Sequence, residues 1–119
     1  MRTVSSLCFP LALALACSHA PETPVTTATP QQAFDALSNE YLDRSLPLWP
    51  TDATLLGDHR YDGRWPDVSK DGDAQRQRFD DEMLARLVAI PRASLSADSQ
   101  VDAEMLENSL RYSAFARAE

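Results

Sequence analysis

An all-α fold is what this sequence predicts, and three observations predict it. Apolar residues recur at spacings of three and four, as in Phe34, Leu37 and Tyr41 and again in Phe79, Met83, Leu87 and Ile90; that is the period of one helix face. No stretch sustains the alternation of apolar and polar residues that a half-buried strand needs. Capping and breaking residues bracket each periodic run. Three to four helices are expected over residues 30–119, as the N-terminal part of a larger helical fold, after a signal peptide and a flexible tether.

The first 16 residues belong to export. Arg2 precedes an apolar run from Val4 to Ala16, in which Leu11, Leu13 and Leu15 alternate with Ala12, Ala14 and Ala16. About a dozen apolar residues are too few to span a bilayer core of about 30 Å, and a basic start with small residues at the end is the pattern of a secretory signal. Ala14-Leu15-Ala16-Cys17 resembles the bacterial lipobox, which implies lipidation of Cys17 as the new N-terminus. Ser18 after the cysteine points to the outer membrane, facing the periplasm. Ordinary cleavage after Ala16 or Ala20, leaving a soluble periplasmic or secreted protein, is the competing expectation. With Cys8 removed and Cys17 a thioether, no thiol is left for a disulfide, so the fold must rest on packing.

Residues 17–29 read as a tether. Ser18 to Thr29 holds two prolines and four threonines, too little apolar surface to fold, and proline keeps such a chain extended. At full extension it would reach roughly 40 Å from the anchor.

Thr29-Pro30-Gln31-Gln32 then supplies a capping hydroxyl, a proline at the first helical position and a glutamine at the third, which is a capping box. Phe34, Leu37, Tyr41 and Leu42 follow at helical spacing, and Pro47 and Pro50 stop the helix. Thr51 to Leu56 is expected to form a short second helix ended by Gly57. Residues 58–69 are a loop of Asp, Arg and aromatics, punctuated by Gly63 and Pro66. A long helix resumes near Lys70 or Asp73 and ends at Pro91; Ser96 caps the last helix, whose apolar positions include Val101, Met105, Leu106, Leu110, Tyr112 and Phe115. That helix is apolar over much of its circumference, which predicts a partner surface beyond these helices.

Charge and inventory exclude several classes of function. The formal net charge is −7, and no basic stripe exists, so nucleic acid is not an expected partner. Histidines occur only at His19 and His59, with no H-E-x-x-H, no G-x-S-x-G and three glycines in all; neither a metal site nor a nucleophile triad can be assembled from this set, and no cofactor is expected in the chain itself. The densest constellation is Asp58, His59, Arg60, Tyr61 and Asp62, followed by Trp65, Asp67 and Ser69. In a functional reading, Asp58 or Asp62 orients His59 and Arg60 receives a carboxylate. In a structural reading, the aspartates cap turns, Arg60 pairs with one of them, and Tyr61 and Trp65 plug the core. Asp80, Asp81 and Glu82 read as solvated charge within helical reach of Arg76, Arg78 and Arg86. Tyr41, Trp49, Tyr112 and Phe115 read as core aromatics.

The string Gly57-Asp58-His59-Arg60-Tyr61-Asp62 resembles the bacterial family called domain of unknown function 885. Around it lie Glu40-Tyr41-Leu42, Pro50 with Ala53-Thr54, Asp67-x-Ser69, Leu95-Ser96 and Gln100-Val101-Asp102 with Leu106. The likeness runs from Gln32 to Glu119. It implies a largely helical, secreted or lipid-anchored protein of several hundred residues that looks like a zinc metallopeptidase of the H-E-x-x-H type, with its metal helix in a C-terminal half. No residue here maps onto that helix, so no catalytic residue transfers and zinc is expected only of full-length relatives.

Three functional readings follow from the residues and the resemblance. The chain is a scaffold or cleft-wall segment of an envelope metallopeptidase-like protein whose other partner is its own C-terminal region. Alternatively it is a stand-alone lipoprotein module that binds a partner through a helix face, or a gene fragment without independent function.

Overall fold

A computed structural model describes residues 28–118. The signal, Cys17, nearly all of the tether and Glu119 lie outside the described residues. Four helices run in order: α1 (Pro30–Ser45), α2 (Pro50–Leu55), α3 (Lys70–Val88) and α4 (Ala97–Ala118), with 3₁₀ turns at His59–Tyr61 and Arg92–Ser94. There is no strand among the described residues.

Three of the four helices begin at a side-chain capping bond, whereas Trp49 before α2 makes none. At α1 the Thr29 hydroxyl accepts from Gln32 N–H at 3.2 Å and Gln32 Oε1 accepts from Thr29 N–H at 2.9 Å, closing the expected capping box. Ser69 Oγ caps α3 by accepting from Gly72 N–H at 3.1 Å, and Asp71 and Asp73 place negative charge in its first turn. Ser96 Oγ caps α4 through Ser99 N–H at 3.2 Å. Gly57 stands at φ 85° just beyond α2, a left-handed position that a residue with a Cβ adopts only at a cost.

The core is one cluster centred on α3. Phe79, Met83 and Leu87 project from one face of α3 and meet Phe34 and Leu37 of α1, Leu95 of the linker, and Ala103 and Leu110 of α4. Tyr41 stacks on Phe79 at 5.7 Å between ring centroids and Trp49 tilts against it at 6.1 Å, separations at which aromatic pairs attract beyond their shared area. The ends of α1 and α4 are tied by polar contacts: Gln31 donates to Ser99 Oγ at 2.9 Å and accepts from Ser96 N–H at 3.0 Å.

Several sequence expectations are corrected here. Tyr112 and Phe115 are largely exposed instead of joining the core, and Leu42 is half exposed; α4 turns Ala103 and Leu110 inward instead. Trp65 does not plug the core: it is 88% exposed, while Tyr61 is half-buried. Asp80 is not solvated but 3% exposed, with its carboxylate accepting from Arg117 Nη1 at 2.7 Å; a buried carboxylate needs such a partner. Its neighbours Asp81 and Glu82 do face solvent.

Gly72 sits buried in the first turn of α3, where an added Cβ would press on the Asp67 backbone carbonyl and lie 2.6 Å from its Cγ. Alanine would gain about 1 kcal/mol of helix propensity, but the obstruction includes rigid backbone, and overpacking of this kind costs about 1–3 kcal/mol. Gly72→Ala is therefore expected to lower the urea unfolding midpoint; a raised midpoint would show that the loop yields freely.

Candidate functional site

The loop between α2 and α3 gathers the residues singled out in the sequence. Asp58 Oδ1 accepts from Arg60 N–H at 3.1 Å, which starts the 3₁₀ turn, and its carboxylate also receives the Arg60 guanidinium at 2.6 and 2.9 Å. That ion pair holds Asp58 below the usual carboxylate range. Asp62 accepts from the Thr54 hydroxyl at 2.7 Å and lies 2.9 Å from His59 Nδ1. Both contacts lower the Asp62 pKa, the Thr54 bond most. His59 is thus oriented by Asp62, with its ring largely in solvent. Asp67 accepts from Ser69 N–H at 2.9 Å, and Ser69 lowers its pKa, through its side chain first and then its backbone. Asp58, His59, Arg60, Tyr61 and Asp62 form one tight turn; Ser69 stands apart as the cap of α3.

Beside this loop lies an open cleft of about 790 Å³. The end of α1, the Pro47–Leu48 turn, the loop residues Arg64, Trp65 and Asp67, and the face of α3 from Gln75 to Glu82 enclose it. Arg44 and Glu82 of its lining belong to an ion network whose cross-helix half sequence reasoning missed. Arg86 grips Glu40 with both terminal nitrogens at 2.7 and 2.8 Å, and Arg44 grips Glu82 likewise at 2.8 Å each. Arg44 also donates to Glu40 at 2.6 Å and Arg86 to Glu82 at 3.2 Å. Charges alternate around the ring, so each arginine orders two carboxylates and the entropy of fixing it is shared. The within-helix pairs are visible as spacings of four in the sequence; the two cross-helix grips join residues 38 and 46 apart and carry no local signal. Arg44 further lies over the Phe79 ring at 5.2 Å.

Among the described residues, no three histidine, cysteine, aspartate or glutamate side chains come together in a way that would hold a metal ion, and no helix is long and apolar enough to cross a membrane.

The family described as bacterial protein of unknown function (DUF885) matches residues 50–118, more than half of the chain. The chain belongs to this family. The DUF885 match covers the Asp58–Asp62 turn, α3 and α4, and leaves α1 with Glu40-Tyr41-Leu42 outside it, a narrower span than the likeness read from Gln32 onward. No curated protein and no solved structure matches the chain.

The arginine contacts predict how this DUF885 chain responds to acid. Arg86 first, then Arg44, pull Glu40 from 4.5 down to about 2; Glu82, Glu107, Asp58, Asp62 and Asp67 are also lowered by their hydrogen bonds. A carboxyl with a depressed folded pKa stabilises above its unfolded value and loses that stabilisation as pH falls through the folded value. Asp80 acts in the opposite sense, because burial raises it despite Arg117. Six lowered groups outweigh one, so stability should fall between pH 4.5 and about 2. Glu40→Gln should shrink that fall in urea midpoints measured at pH 7 and pH 3; an unchanged slope would mean that the network holds no protonation energy.

Proposed function

We propose that this chain is a scaffold segment of a lipid-anchored envelope protein, forming one wall of a substrate cleft in a protein of zinc-metallopeptidase type, whose metal-binding helix is contributed by other residues of the same protein. The resemblance of the Gly57–Asp62 string supports the class of protein, and DUF885 membership supports the helical frame.

The observation that carries the scaffold reading is the two-sidedness of α4. Ala103, Leu106 and Leu110 turn toward α1 and α3. Val101, Met105, Tyr112 and Phe115 are 57% to 70% exposed. At 3.6 residues per turn those four fall within about 80° of arc, roughly opposite the covered face. With Asn108 between them they recur at spacings of four, three, four and three, the seam pattern of a helix that packs on another helix. A helix apolar on two opposite faces is stable as an inner element of a layered helical protein and not as an outer one. Cys17 supplies the anchor: each buried methylene of an acyl chain contributes about 0.8 kcal/mol, so several chains hold the protein at the membrane nearly permanently.

A cysteine reporter tests the scaffold. With Met105→Cys, position 105 is expected to resist a maleimide in the native envelope protein, read by peptide mapping, and to react quickly in purified residues 18–119, which contain no other cysteine. Protection that survives dilution in detergent places the covering helix on the same polypeptide; protection lost on dilution favours a separate partner, as in a stand-alone lipoprotein module. Equal labelling in both settings would overturn the scaffold reading. Cys17→Ser should release the envelope protein into the soluble fraction, and continued membrane retention would overturn the anchor.

A further inference from the structure

The cleft beside the loop has a composition that the scaffold reading does not use, and the inference drawn from it stands whether or not that reading holds. Its lining carries four guanidiniums, Arg44, Arg64, Arg76 and Arg78, against three carboxylates, Asp43, Asp67 and Glu82. On a chain of net charge −7 with eleven basic residues, this is a local reversal of sign. Two of the four are already committed: Arg44 to Glu40 and Glu82, and Arg76 to Asp73 and the Asp67 carbonyl. Arg64 and Arg78 have no carboxylate partner among the described residues. Arg64 instead lies over the Tyr61 ring at 5.7 Å, a contact that steadies the guanidinium without consuming its hydrogen-bond donors.

The apolar parts of the cleft complement those two charges. Phe79, Leu48 and Pro47 contribute to its lining, and the Trp65 indole stands at its edge almost wholly in water. An indole offers a flat face for stacking, and its exposure beside unpaired arginines is the combination by which proteins grip an anion attached to a ring. The volume suits a small molecule, for which pockets of about 300–1,000 Å³ are usual. We infer that this cleft binds a small oxyanion, carboxylate or phosphate, carried on a flat apolar group, with Arg64 and Arg78 on the anion and Trp65 on the ring. Asp43 and Asp67, the two carboxylates of the lining that form no salt bridge among the described residues, work against anions and set a preference for ligands whose charge lies toward Arg64 and Arg78.

The chain has two tryptophans, so nitrogen-15 spectra of this 119-residue chain give two indole signals, assigned by loss of one in Trp65→Phe. Phenyl phosphate and N-acetylphenylalanine are the two probes, and N-acetylphenylalaninamide and inorganic phosphate the controls. Saturable movement of the Trp65 indole signal and not of Trp49's is expected with one or both anionic probes, at concentrations about tenfold lower than for the neutral amide. The anionic probe that saturates first tells phosphate from carboxylate as the source. Arg64→Gln and Arg78→Gln should each weaken binding by about tenfold, with helix content checked by circular dichroism, since both side chains are on the surface. No saturable shift with either anionic probe, an equal response to the amide, or full binding by the Arg64→Gln, Arg78→Gln double variant would overturn the assignment.

Discussion

The structure depends on one ridge of α3. Phe79, Met83 and Leu87 are spaced by four, lie on a single face and are buried almost completely. Burying such a side chain stabilises by about 1.5–3 kcal/mol, and here the same three atoms sets serve every neighbour. α1 supplies Phe34 and Leu37, α4 supplies Ala103 and Leu110, and the turn before α2 supplies Trp49 against Phe79. Without the ridge, α1 and α4 would have little left to pack against, and the Gln31 contacts with Ser96 and Ser99 would be the main tie between them.

What was legible in the sequence was what is decided within a few residues. Thr29 with Gln32, Ser69 and Ser96 each announce a helix start because the capping bond closes over two or three positions, and the α3 ridge shows as a bare periodicity. The ion ring of Glu40, Arg44, Glu82 and Arg86 was not legible, since its cross-helix grips join residues 38 and 46 apart and any surface arginine has the same sequence appearance. Asp80 was misread for the same reason: its partner Arg117 is 37 residues away, so a charged position inside an acidic run looks solvated. α4 shows a different limit. Periodicity distinguishes its two apolar faces but not which of them these helices cover, and the small Ala103 marks the close contact where the larger Tyr112 and Phe115 were expected. Of the candidate site, the local pairs Asp58–Arg60 and His59–Asp62 were within reach of sequence reasoning. The cleft was not, because four separate segments build it.

Function rests on what lies outside that ridge. The Asp58–Asp62 turn is self-satisfied: its aspartates are bonded to Arg60, Thr54 and His59, which leaves a rigid corner and one oriented imidazole. A corner of this kind supports a wall better than it performs a reaction, since a lone histidine has neither a second ligand nor a nucleophile beside it. α4 offers an apolar stripe on the side away from the core, and the cleft offers unpaired arginines beside an exposed indole. The DUF885 match covers the turn, α4 and the α3 side of the cleft, and the family's description carries no activity. The surfaces themselves therefore hold the functional argument: one suited to another helix, one to a small anion.

Hydrogen exchange of the purified chain, read amide by amide, tests the central role of α3 most directly. The account predicts that the slowest amides lie between Phe79 and Leu87, and that no segment of α1 or α4 outlasts them, because both of those helices are held through that ridge. Protection in α1 and α4 persisting after the α3 amides have exchanged would contradict it, and would mean that these helices hold together by contacts that do not pass through Phe79, Met83 and Leu87.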